Sequence, residues 1–143
     1  RTMRFMVMVM ATKESEAGAL PKPEEFAAMQ KYNEELAKAG ILLAAEGLAP
    51  TSTGVRVKFS GDKRIVIDGP FAETKELVAG YWVWEVKSII QVKSREEAIE
   101  WVKRAPNIFP NGEAEIEIRK VSEVEDFGDA FTPNPEIAKV KIT

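Results

Sequence analysis

Two segments of this chain are apolar on both sides of the strand each would form, so each must be covered twice. In Arg4–Met10, Phe5, Val7 and Val9 would point one way and Met6, Met8 and Met10 the other; in Val78–Val86, Tyr81 and Val83 alternate with Trp82 and Trp84. Helices can bury one face of a sheet that holds such strands. A chain of 143 residues has the size of one domain, so the opposite face needs a second layer or a second copy.

The rest of the pattern supplies the helices. Pro23, with Glu24 and Glu25 behind it, opens an expected helix that ends at Gly40. Its stripe is Phe26, Met29, Leu36 and Ala37, flanked by Tyr32, and Asn33 interrupts it as a polar residue that needs a partner. Ile41–Leu48 reads as a strand, and Val55–Phe59 with Arg64–Asp68 reads as a hairpin of half-buried strands. Ser94-Arg95-Glu96-Glu97 has the form of a capping box ahead of a helix carrying Ala98, Trp101, Val102 and Ala105. After a turn at Asn111-Gly112, Ala114–Val121 alternates as an edge strand. The expected architecture is α+β: a ferredoxin-like sandwich with an inserted hairpin over residues 3–121, followed by an acidic arm, 122–143, that lies on the domain or its partner or frays. Pairing two such sheets face to face would hide the surplus apolar surface.

Composition removes several classes of function. The 20 Lys and Arg are scattered among 23 Asp and Glu, so nucleic acid is not an expected partner. Phe5–Ala11 is the longest apolar run, far below the roughly 18 residues a membrane span needs. With Arg1 and Thr2 ahead of Met3, the expected natural start, and no leader pattern after it, the expected location is the cytoplasm. The absence of cysteine agrees with a reducing compartment and removes thiolate chemistry. The absence of histidine removes the Ser-His-Asp triad, the Cys-His pair and imidazole metal ligation, and no cofactor is expected.

The nine residues Asp68-Gly69-Pro70-Phe71-Ala72-Glu73-Thr74-Lys75-Glu76 resemble the signature of the DGPF proteins within the YCII-related family. Gly80-Tyr81-Trp82, Glu97-Ala98-Ile99-Glu100-Trp101, Glu115-Ile116-Glu117-Ile118-Arg119 and Glu125-Asp126-Phe127-Gly128 resemble it in the same order, between about Met3 and Pro133. The resemblance implies a dimeric α+β barrel in which two ferredoxin-like sheets enclose a cleft. It also implies a bacterial protein, of a family often encoded beside sigma factors, with a largely unassigned biochemical role. Some members are proposed to use a His-Asp pair, and a relative is similar to a dehydrochlorinase. Here Met29 or Gln30 stands where that histidine would sit and Ala105 where an acid would, so an enzyme of this kind would need another base.

Candidate site residues follow from both readings. Asp68 ends a strand at a Gly-Pro turn, where a carboxylate can serve as base or simply cap its own backbone. Gly69 and Pro70 form that turn, and Phe71 is either a ligand stack or a wedge in the core or dimer seam. Glu73 and Lys75 sit on a short connection able to bind a ligand or simply to be solvated. Glu46 interrupts an apolar strand, as a catalytic carboxylate or the partner of Arg4, Arg56 or Arg64 would. The expected function is a small-molecule-binding homodimer, accessory or regulatory to a sigma-factor system. The alternatives are a cofactor-free lyase or isomerase using Asp68 or Glu46 as base, and a protein-interaction module whose cleft is filled by side chains.

Overall fold

The computed structural model describes residues 2–87, 91–107, 114–130 and 134–138. The side chains of Lys75, Gln91, Val92, Ala130, Ile137 and Ala138 lie outside that description, as do the Asn111-Gly112 turn and the closing residues Val140 and Ile142. Along the chain the elements are β1 (Thr2–Met10), α1 (Lys13–Glu16), α2 (Pro23–Lys38), β2 (Leu42–Gly47), β3 (Val55–Ser60), β4 (Lys63–Asp68), β5 (Val78–Lys87), α3 (Gln91–Lys103), β6 (Ile116–Lys120) and α4 (Pro135–Ala138). Short 3-10 turns cover Thr51–Thr53, Thr74–Glu76 and Val124–Ala130.

The two doubly apolar segments are the inner strands of the main sheet. Its order is β2-β5-β1-β6, antiparallel throughout, which is the ferredoxin-like arrangement with the β3-β4 hairpin inserted ahead of β5. Residues directly opposite share a face. Met3, Phe5 and Val7 therefore stand beside Val86, Trp84 and Trp82 on the side that meets Tyr32 and Leu36 of α2 and Ala98 of α3. Val7, Leu36, Trp84 and Val86 are completely buried, and each such side chain contributes about 1.5–3 kcal/mol relative to exposure. On the other face Met6 pairs with Val83 and Met8 with Tyr81; Val83 is buried and the two methionines are half-buried. Arg4 closes this face at one end. Its guanidinium donates two hydrogen bonds to the Glu123 carboxylate, at 2.8 and 3.0 Å, which hold the Arg4 pKa above its ordinary value and pin the segment after β6.

Several local expectations shift. Helix α3 begins at Gln91, one turn before Ser94, because Ser94 lies four residues ahead of Ala98 on the same buried face and cannot serve as a cap. Its hydroxyl, like the Trp84 indole N–H, is buried without a hydrogen-bond partner among the described residues. The buried face of α2 centres on Tyr32 and Leu36, leaving Phe26 and Ala37 exposed. The polar stretch after β1 forms α1, capped reciprocally by Thr12 and Ser15. The largest difference is the hairpin. Every residue of β3 and β4 is exposed, because the two strands pair only with each other and not with the main sheet. Among the described residues no helix is long and apolar enough to cross a membrane.

Candidate functional site

A cavity of about 610 Å³ opens where β1 and β2 end and β5 begins, beside α2 and the last turn of α3. A break in strand pairing helps to shape it. The register shifts between Val9 and Met10, and a bulge of this kind re-aims the side chains around it; both residues line the cavity. Met29, Trp82, Val102 and Ile116 add apolar walls.

The polar lining is sparse and organised. Trp82 donates its indole N–H to the Asn33 Oδ1 at 2.8 Å, and its ring meets that of Tyr32 edge-on, with centroids 5.8 Å apart. An indole N–H can only donate, so the amide oxygen of Asn33 must face it. The Nδ2 donors of Asn33 are then uncommitted among the described residues, on a side chain that lines the cavity. Tyr32 is held in turn by donating its hydroxyl to the Trp101 carbonyl, and burial pushes its phenol up to about 12. Thr12, Ser15 and Asn107 also line the cavity, and Glu46 is the carboxylate among its lining residues. Glu46 lies opposite Tyr81 across β2 and β5 and is exposed. Among the described residues no three acidic side chains converge as metal ligands.

The nine-residue signature lies elsewhere and acts on the cavity wall indirectly. Asp68 is the last residue of β4, exposed and opposite Val55. Gly69 donates its N–H to the Gly54 carbonyl at 2.9 Å, and a cis bond joins it to Pro70. A Cβ at position 69 would sit 1.7 Å from the Thr51 carbonyl oxygen, so only glycine fits. Phe71 donates its N–H to the Thr51 hydroxyl at 3.1 Å, and the Arg56 guanidinium stacks 3.8 Å above its ring. Thr51 passes the connection on: its hydroxyl and N–H both donate to the Glu16 carboxylate, at 2.5 and 3.1 Å. Ser15 and Pro50, the neighbours of Glu16 and Thr51, line the cavity, so the turn clamps the loop that forms one wall. Glu73 is exposed beyond this clamp, and the Lys75 side chain is outside the described part.

A family model for the YCII-related domain matches residues 3–124, most of the chain. The chain belongs to the YCII-related family. It is also similar to a protein of Rhizobium meliloti (strain 1021) described as uncharacterized, with 34% identity over 85 residues that cover 59% of this chain and 60% of the relative's own length. The chain thus spans less than two thirds of the curated relative it matches.

Within this YCII-related domain the structure brings Glu46 to the cavity and sets Asp68, Gly69, Pro70 and Phe71 at the root of the hairpin. Sequence reasoning did not single out Val9, Met29 or Val102 as cavity residues, because an apolar wall and a core have the same spacing. Asn33 did carry a signal: a lone amide in a buried stripe demands a partner, and that partner is Trp82.

Proposed function

We propose that this domain binds a small, mainly apolar molecule carrying a hydrogen-bond acceptor, in the cavity between the sheet end and its two long helices. The observation that carries the reading is the Asn33 amide, oriented by Trp82 so that its Nδ2 donors are the ones left for a guest. A volume of about 610 Å³ falls within the range usual for ligand sites, roughly 300–1,000 Å³, which are apolar with a few placed polar groups. The domain acts as a homodimer in the cytoplasm, the half-buried Met6 and Met8 on the sheet face away from the helices supporting self-association. An accessory or regulatory role beside a sigma factor rests on family likeness alone.

Glu46 favours a second reading, a cofactor-free lyase or isomerase, since it places a carboxylate beside the same cavity. A thermal-shift and tryptophan-fluorescence screen of apolar ketones, amides and esters separates the possibilities. Binding lost in Ala45→Trp, which fills the cavity, supports the ligand site; hits unaffected by that change, or none from the panel, remove it. Turnover of a hit that disappears in Glu46→Gln while binding persists would establish the enzyme.

A further inference from the structure

The β3-β4 hairpin makes little use of its own subunit. On one face it carries Val55, Val57, Phe59 and Val66, and on the other Ile65 and Ile67 among Arg56, Lys58 and Lys63. Phe59 is 71% exposed and Val66 is 66% exposed, although Arg64 stacks 4.3 Å above the Phe59 ring. An isolated two-stranded ribbon is at best marginally stable in water and needs a third surface to pack on. Among the described residues its own body does not provide one, since every residue of both strands is exposed. The bonds Gly69 to Gly54 and Phe71 to Thr51 clamp both strands at the root.

We infer that the hairpin is an arm that crosses to a second copy of this chain and packs over the mouth of that copy's cavity. Two features select this occupant. The mouth has exposed apolar residues of its own, Leu20 at 81%, Phe26 at 49% and Leu48 at 49%. The charges are also complementary. The hairpin carries four cations, Arg56, Lys58, Lys63 and Arg64, against Asp62 and Asp68, in a chain whose net charge is −3. The stretch that carries Leu20 and Phe26, together with Glu46 near Leu48, holds Glu14, Glu16, Glu24, Glu25 and Glu46 against Lys13 and Lys22, while Lys103 and Arg104 stand on the α3 side of the cavity. A cationic, apolar ribbon and an acidic, apolar rim on the same chain are mutually matching surfaces, and reciprocal exchange between two copies satisfies both. The cavity is then completed by the neighbouring subunit, with Phe59 as its lid residue.

The chain has no cysteine, which makes the test direct. Phe59→Cys is mixed with Phe26→Cys and treated with a short bis-maleimide, and in parallel Phe59→Cys is mixed with Lys38→Cys at the far end of α2. These positions are exposed, so the folds should persist, as circular dichroism would verify. The expected result is efficient formation of the cross-linked heterodimer with Phe26→Cys and little with Lys38→Cys. Equal cross-linking with both, or none with either, overturns the arm. This outcome is separate from ligand binding, which the cavity-filling variant tests on its own.

Discussion

The indole N–H of Trp82, on an inner strand, donates to the side-chain carbonyl of Asn33, on the first long helix, across 2.8 Å. This bond joins sheet to helix at the cavity wall, and it makes stability and binding separable. Asn33→Leu leaves the Trp82 N–H, on a residue 4% exposed, without an acceptor, and is expected to cost about 1–3 kcal/mol in urea unfolding. Asn33→Asp keeps an acceptor but discards the Nδ2 donors; it is expected to stay nearly as stable while losing affinity for acceptor-bearing ligands by about tenfold.

Gly69→Ala is expected to spring the clamp at the hairpin root. Its Cβ would collide with the Thr51 carbonyl at 1.7 Å, and that obstacle is backbone, so the loop itself must move. Melting should report a loss of about 1–3 kcal/mol, and hydrogen exchange should quicken at the amides of Thr51, Gly54 and Phe71. Unchanged protection at those amides would contradict the clamp.

Alkaline pH should unfold the domain through Tyr32. Its phenol ionises at about 12 in the folded chain against an ordinary 10.0, chiefly because burial disfavours the anion; Arg104 works against the shift and Glu35 with it. Below pH 10 the proton is bound in both states and the stabilisation is complete. Between 10 and about 12 the unfolded chain releases it first, so stability falls as pH rises, by up to about 2 kcal/mol. Tyr32→Phe, which also gives up the bond to the Trp101 carbonyl, should lower stability at neutral pH by about 1 kcal/mol and flatten the alkaline decline.

Ser94→Ala should stabilise the domain, by about 1 kcal/mol. The Ser94 side chain is completely buried inside α3 and its hydroxyl has no hydrogen-bond partner among the described residues, so removing it ends a desolvation penalty and improves helix propensity. A lower melting temperature for this variant would show that the hydroxyl is satisfied in solution.

Much of the architecture was legible because burial periodicity is local. Phe5 and Val7 face the helices and Met6 and Met8 face away, as the alternation requires, and Pro23 does open the first long helix. The start of α3 was misplaced because a Ser-x-x-Glu spacing suits either a cap or a buried small residue, and only packing against the sheet decides between them. The hairpin's alternation suggested half-burial, yet alternation records which side chains share a face and not whether anything covers it. For the candidate site, Glu46 and Asn33 were visible as polar breaks in apolar runs. Thr51 and Glu16 were not: the tie between them depends on a contact across 35 positions of chain.

The position of β1 has a consequence for biosynthesis. Val7 is flanked by Trp82 on one side and Ile118 on the other, so β1 leaves the ribosome long before either of the strands that flank it. Such long-range pairing slows folding and prolongs the exposure of sticky segments. The nascent polypeptide therefore carries β1 as an uncovered oily segment while the rest of the domain is being made, and its yield in the cell should depend on holdase chaperones far more than the stability of the finished domain would suggest.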